Sequence, residues 1–426
     1  MTLRVATQAE IVMTQVRTFR GSLVNPEVAH EVVAPAYDSM TADQRARYAE
    51  AHPRNYLNVM RTQEDYSEGV SVEEILNQNK RNLENLIETR SFSPQPDHCF
   101  VIYRLISAGH QQTGLVAEIP VQEVDDGLVL KHELTRRDRE ELLVQYQSHV
   151  GVSSSPIALA YHARPEISSL LERITDTTDP YLDYLSQDGV RQILWRVESD
   201  SDQQEIARLF SAISLTYLTD GHHRAAAASR YRKLPSKNGV NNQTDSSRDD
   251  LLVALFPDDE LAILPFNRVV KDLNGLSATD FLQQLGKEFL ITHLSCDANN
   301  PAKPDAAGNF IMVLGDDCYQ LTLKDVQRST DNPVANLDVI KLQELILDPL
   351  LGIADARGDA RLEYVSGSTG SDSVNNLRLK GWQVAFYCHP ISMQELMAVS
   401  DAGQVMPPKS TCFEPKVRSG LFLLQK

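Results

Sequence analysis

The run Tyr217-Leu218-Thr219-Asp220-Gly221-His222-His223-Arg224 sets an aspartate, two histidines and an arginine around one glycine, and Ala225 to Ala228 follow directly. The stretch Ile213 to Leu218 is β-branched and apolar and reads as a short buried strand. The alanines and Ser229-Arg230-Tyr231-Arg232 read as a helix. Asp220 is a good N-cap, because its carboxylate can accept from the unpaired N–H groups of the first turn. Gly221 lets the backbone turn tightly. His222, His223 and Arg224 then leave the first helical turn, where the dipole is positive and N–H donors have no helical partner. Such a turn can hold an anion, phosphate foremost, with Arg224 offering a two-pronged fork. The plain alternative is an ordinary Asp-Gly cap with solvated side chains. Adjacent side chains on a helix diverge by about 100°, so a single structural role for all three is harder to write, and the anion reading is preferred.

Four further places hold candidate chemistry. Lys409-Ser410-Thr411 follows Met406-Pro407-Pro408, whose prolines restrict the entry to the loop. A lysine beside two hydroxyls there suits a phosphate or an amino-acid carboxylate; a plain surface loop is the alternative. His132-Glu133, just after a strand, offers a general base or a metal ligand, against a cap or surface ion pair. Asp38, on a turn after Pro35, is placed to accept a hydroxyl proton or hold a metal, against an Asx turn before a helix. Arg20, beside Gly21, can touch a phosphate or simply be solvated.

The elements that must position these groups alternate between strand and helix. Val32-Val33-Ala34-Pro35 reads as a strand ending at proline, and Thr41-Ala42-Asp43-Gln44 as a capped helix start. Residues 73–90 have amphipathic helical spacing. Phe100–Leu105 and Gly114–Ile119 read as a hairpin with Ser107–Thr113 as its turn. A charged helix is expected from about Arg136 to Gln147. Further strands are expected at 156–161, 192–197 and 251–256, with a polar loop over 235–249. A helix after Ser277 and a strand pair at 310–314 and 318–323 follow. The pattern is that of a mixed α/β, or α+β, protein, with a boundary near 270 separating residues 1–270 from 271–426.

A chain of 426 residues allows two or three domains. With 41 Lys and Arg against 58 Asp and Glu the net charge is −17, which argues against broad nucleic-acid binding but leaves room for a local basic pocket. No apolar run reaches the ~18 residues of a membrane span. The first ten residues lack the apolar core of a signal peptide, so a cytoplasmic location is expected. Five cysteines stand at 99, 296, 318, 388 and 412 with no Cys-x-x-Cys pair, which predicts small core fillers in a reducing compartment. Neither a P-loop nor a protein-kinase signature is present.

Six ordered motifs resemble the bacterial and archaeal family named domain of unknown function 1015. They are Thr18-Phe19-Arg20-Gly21, Val33-Ala34-Pro35-Ala36-Tyr37-Asp38, Gly127 to Thr135, Asp220 to Arg224, Leu350-Leu351-Gly352-Ile353 and Met406 to Lys416. Two departures stand out: Ala36 where the family usually has proline, and Asn267 where it often has histidine. The Asp-Gly-His-His-Arg turn also resembles that of the ParB and sulfiredoxin-like group. There the turn and helix N-terminus bind nucleotide phosphates, and some members are similar to kinases of free L-serine. The resemblance implies a ParB/sulfiredoxin-like phosphate-binding core with a second α/β domain. It implies phosphoryl transfer from ATP, ADP or pyrophosphate to a small hydroxylated molecule, free L-serine first, with Mg²⁺ expected because such transfer usually needs it. Under that reading Asp220, Gly221, His222, His223 and Arg224 hold phosphate, Arg20, Lys409, Ser410 and Thr411 bind substrate, and Asp38, His132 and Glu133 are the candidate bases. The alternatives are a nucleotide- or phosphate-binding regulator without metabolite kinase activity, and a ParB-like DNA-associated protein.

Overall fold

Near-continuous apolar runs in Phe100–Ser107 (β1) and His110–Pro120 (β2) build the centre of an eight-stranded sheet. The two strands pair antiparallel, Ile102 opposite Leu115. Their turn is shorter than the sequence suggests. Ala108 and Gly109, with φ of 49° and 82°, close a two-residue loop, so Ser107 and His110 already pair. Two successive positive φ values match the twist of the flanking strands, which is why this short loop wins over a longer one. The computed structural model describes residues 14–66, 69–95, 97–235, 248–295, 297–324 and 331–426. Most of the polar stretch expected as a loop over 235–249 lies outside them.

The described chain forms two compact units. The first comprises residues 1–130, 134–261 and 415–426; the second comprises 131–133 and 262–414. In the first, β3 (Val129–Leu130), β4 (Ile157–Tyr161), β5 (Leu182–Leu185), β6 (Arg191–Val197), β7 (Thr216–Asp220) and β8 (Asp250–Pro257) complete the sheet in the order β3-β7-β4-β8-β2-β1-β6-β5. Side chains alternate between its faces, and both faces are buried. One face carries Ile102, Leu115, Leu159 and Val253 against Ile167 and Leu171 of Pro165–Thr177 and Ile206 of Asp200–Phe210. Ala225 and Ala228 of the helix after β7 join the same core, where their small side chains let that helix lie close. The other face packs Tyr103, Leu105, Val116 and Ala254 with the N-terminal elements and the C-terminal strand Phe422–Gln425.

The stretch 32–35 is not a strand. Ala29–Val32 is a single helical turn, and Val33 donates its N–H back to Ala29 O. The carbonyls of Glu31 and Val33 are taken by the Asn55 amide, so no sheet partner is needed. The helices expected at Thr41 and over 73–90 form at Ala42–Ala51 and Val72–Glu88, each with a reciprocal capping box, from Thr41 and from Ser71.

In the second unit, Phe266–Val270 (β9), Phe289–Leu294 (β10), Asn309–Leu314 (β11), Asp317–Leu323 (β12), Leu362–Ser366 (β13) and Val384–Cys388 (β14) form a sheet in the order β10-β12-β11-β14-β9-β13. The helix Ala278–Leu285 starts from a Ser277 cap, as its sequence predicts, and buries Phe281 and Leu285. The motif Leu350 to Ile353 ends a helical stretch: Arg361 donates to the carbonyls of Leu351 and Gly352, and the Gln343 amide to that of Ile353. Its role is to satisfy orphan helix carbonyls. Cys99, Cys388 and Cys412 are free and buried, consistent with core filling. Cys318 is disulfide-bonded, which corrects the expectation for it. Disulfide pairing needs tertiary proximity, and sequence spacing alone does not reveal that.

Candidate functional site

β7 ends at Asp220, Gly221 follows at φ 98°, and the helix His222–Arg232 begins immediately. The N-cap position belongs to Gly221, with no side-chain cap bond, and not to Asp220. The physical reason is the left-handed glycine, which turns the chain one residue later than an aspartate cap would. The Asp220 carboxylate is instead engaged by two cations. Oδ2 accepts from Arg224 Nη2 at 2.5 Å, and Oδ1 lies 3.8 Å from Lys416 Nζ. Arg224 Nη1 also donates to the carbonyls of Ser155 and Pro156, each at 2.8 Å. The two terminal nitrogens of the fork are therefore committed to the protein and brace the turn.

Gly221 is required twice over. A Cβ there would meet Arg224 Nη2 at 2.9 Å and Cζ at 3.0 Å, and φ itself lies in the region that favours glycine. Gly221→Ala is expected to cost about 1–2 kcal/mol from the left-handed conformation alone, and to push the guanidinium off Asp220. Denaturant unfolding should show a lowered midpoint together with weakened phosphate binding. An unchanged midpoint would mean that the turn relaxes without strain.

His222 is buried. His223 is half-buried, and its Nε2 accepts the backbone N–H of Arg136 at 3.1 Å. That bond places the ring proton on Nδ1, assigned from the hydrogen-bond pattern. Burial, and then the charge of Arg139, hold the imidazole below its ordinary histidine value, with Glu140 opposing. His223 is thus a neutral ring with an N–H donor at a helix start, held so mainly by burial, with Arg139 and Arg136 set against Glu140 and Asp138 around it.

Asp38 lies in the turn Tyr37–Ser39, and its side chain is outside what the structure describes. The turn itself is well anchored. The Tyr37 hydroxyl bonds Asp65 and Thr62, both at 3.2 Å, and the Arg45 guanidinium stacks 4.1 Å from the Tyr37 ring centroid. Burial pushes the Tyr37 hydroxyl up to about 12. Arg45 and Asp65 form a buried pair at 2.7 Å; Arg45 also faces Glu64 at 3.5 Å, and Glu64 accepts from Arg139 at 2.9 Å. Charged contacts therefore run from the Asp38 turn to the arginine whose field acts on His223. Arg20 is exposed, and its backbone N–H donates to Glu118 at 2.8 Å.

The remaining candidates stand in the second unit. His132 is fully buried; its carbonyl accepts from Met406 N–H at 2.8 Å, and its Nε2 is 3.5 Å from Thr411 Oγ1. Glu133 is half-buried. Lys409 is exposed at φ 57°, with its ammonium 5.4 Å from the Phe266 ring centroid. Its carbonyl accepts from the buried Arg268 at 3.2 Å, and the Ser410 hydroxyl is spent on Pro407 O at 2.6 Å. Asn267 accepts the Cys388 N–H at 3.3 Å. The structure thus assembles His132, Lys409 and Thr411 around one loop, and Asp220, Gly221, His223 and Arg224 around one turn.

Ser155, the carbonyl partner of Arg224, has no signal in the sequence around this turn, and Lys416 reads there only as the end of a motif. The motif's position late in the chain carried no hint that it folds back to Asp220. Among the described residues no group of three or more His, Cys, Asp or Glu side chains is arranged to hold a metal, and no helix is long and apolar enough to cross a membrane.

A strand, a left-handed glycine and a helix start that carries a hydrogen-bonded imidazole form one turn within a mixed α/β protein. The chain belongs to the family described as protein of unknown function DUF1015, whose model matches residues 16–340. No curated protein matches it. Among solved structures it is similar to a free serine kinase in complex with AMP, at 11% identity and a TM-score of 0.34, over 70% of this chain and 86% of that one. It is also similar to a conserved hypothetical protein from Pyrococcus furiosus, at 12% identity and a TM-score of 0.34, over 73% and 94% of the two chains. A third is SbnI with C-terminal truncation from Staphylococcus aureus, at 13% identity and a TM-score of 0.34, over 71% and 85%.

Proposed function

We propose that this protein is a phosphotransferase acting on a small hydroxylated metabolite, with free L-serine as acceptor and ATP, ADP or pyrophosphate as donor. The observation that carries this reading is the turn at Asp220–Arg224. A helix start directs backbone N–H groups outward, His223 adds a neutral Nδ1–H, and the braced Arg224 keeps both in place. Donors fixed before the ligand arrives need no reorganisation when charge develops on a transferring phosphoryl group. The motif resemblance to serine-kinase-like proteins supports the choice of acceptor.

The transfer forms a bond between the acceptor oxygen and phosphorus, breaks the bond to the leaving phosphate oxygen, and sends the hydroxyl proton to a base. Asp38 and Glu133 are the bases we retain. His132, fully buried behind Thr411, is reassigned as a residue that positions the Lys409–Thr411 loop. Lys409 offers an exposed ammonium suited to the carboxylate of an amino acid. Arg20 and Ser410 have weaker claims, because one is exposed beside Glu118 and the hydroxyl of the other is engaged. The Asp220 carboxylate is occupied by Arg224 and Lys416, so Mg²⁺ fits this turn best when carried by the donor phosphates, where it neutralises their charge.

The test is incubation of purified protein with L-serine, Mg²⁺ and, separately, ATP, ADP or pyrophosphate, with phosphoserine read by mass spectrometry. Phosphoserine with one of these donors is expected. Donor binding without product from serine would replace this reading with the ligand-binding regulator.

A further inference from the structure

The C-terminal segment Pro415–Gly420 has no regular secondary structure, yet it is pinned at nearly every residue. The buried Gln112 amide donates to Pro415 O at 3.1 Å. Arg418, fully buried, pairs with Asp188. Ser419 bonds Ser155 through their hydroxyls, and its carbonyl accepts Ala34 N–H at 3.0 Å. Gly420 N–H donates to Ser154 Oγ at 2.7 Å, and at φ 86° it packs so tightly that a Cβ would meet Tyr56 at 2.8 Å. Ser155 is a shared post, since its carbonyl receives Arg224 Nη1 while its hydroxyl receives the segment. Burying a guanidinium is costly even when it is paired, and here it fixes the register of a segment with little else to define it.

Lys416 lies between these anchors, mostly buried, with its ammonium 3.8 Å from Asp220 Oδ1. Arg224, the cation the motif itself supplies, has its terminal nitrogens turned to Asp220, Ser155 and Pro156. An ammonium is a compact charge with three rotatable donors, able to keep a carboxylate and meet a phosphate oxygen together. We infer that Lys416 is the side-chain cation that meets the phosphate at this turn, with Asp220 as its tether and Arg224 as the brace of the turn. The inference rests on the reading that the turn binds phosphate.

Calorimetric titration of pyrophosphate and of ADP into the full chain tests it, using wild type, Lys416→Met and Lys416→Arg. The expected result is a dissociation constant at least tenfold weaker in Lys416→Met, a shallower dependence on salt, an unchanged melting temperature, and partial recovery in Lys416→Arg. Wild-type binding that Lys416→Met leaves unchanged overturns the inference and spares the phosphate-binding turn. Equal losses in the Met and Arg variants, with a lowered melting temperature, make Lys416 structural and overturn it too. Absence of wild-type binding to either probe overturns both the inference and the reading beneath it.

Discussion

Arg224→Ala loses phosphate binding chiefly because the turn loses its shape. The variant leaves the Asp220 carboxylate and the carbonyls of Ser155 and Pro156 without the guanidinium that joins them. Hydrogen bonds to charged groups contribute about 1.5–3 kcal/mol each where buried. This side chain is a quarter exposed, so the expected total is about 2–3 kcal/mol after allowing for solvent. Arg224→Lys should rescue little, because one ammonium cannot reproduce a planar fork set among three acceptors. Thermal unfolding of the two variants checks this: both should melt several degrees below wild type. Melting curves superimposable on wild type, with binding lost, would instead mean that Arg224 touches the ligand directly.

Glu123→Gln should reshape the dependence of stability on pH. Glu123 lies almost wholly buried in the short helix Gln122–Asp125. One carboxyl oxygen accepts Gln15 N–H at 2.7 Å, and the other has no hydrogen-bond partner among the described residues. Burial pushes its pKa up to about 7, against the opposing pull of the Gln15 N–H and Arg17. The unfolded chain releases this proton near 4.5 and the folded chain near 7, so between those values the folded state binds more protons. Stability therefore falls as pH rises through that window, and the penalty is complete above 7. At 1.36 kcal/mol per pKa unit it is on the order of 3 kcal/mol. Glutamine keeps an acceptor for Gln15 and removes the charge. Denaturant unfolding at pH 4, 6 and 8 should show the variant equal to wild type at the lowest pH and more stable at the highest. Parallel profiles would show that water reaches the carboxylate in the folded state.

The parts of this fold that were legible in the sequence depend on neighbours in the chain. Thr41 forms its reciprocal box with Gln44, a helix follows Ser277, the amphipathic stretch after residue 73 is helical, and the apolar runs at 100–105 and 114–119 pair as a hairpin. The strand–turn–helix around Gly221 was legible for the same reason. What was hidden depends on distant partners. Asp220 has the composition of a cap, but the left-handed Gly221 takes that position, and the carboxylate is claimed by Arg224 and by Lys416 from the far end of the chain. Val32 and Val33 have strand propensity, yet Asn55 takes the local carbonyls that a sheet would have used. Arg418 is fully buried where Asp188 reaches it from the turn between β5 and β6, and nothing beside it in the chain signals that.

The proposed function requires phosphate to be held at the start of the helix His222–Arg232. Amide hydrogen exchange of the full chain, with and without pyrophosphate, tests it most directly. Slowed exchange confined to peptides spanning Gly221 to Arg224 and the C-terminal segment around Lys416 is the predicted result. Protection that falls elsewhere while these amides exchange as before would contradict it.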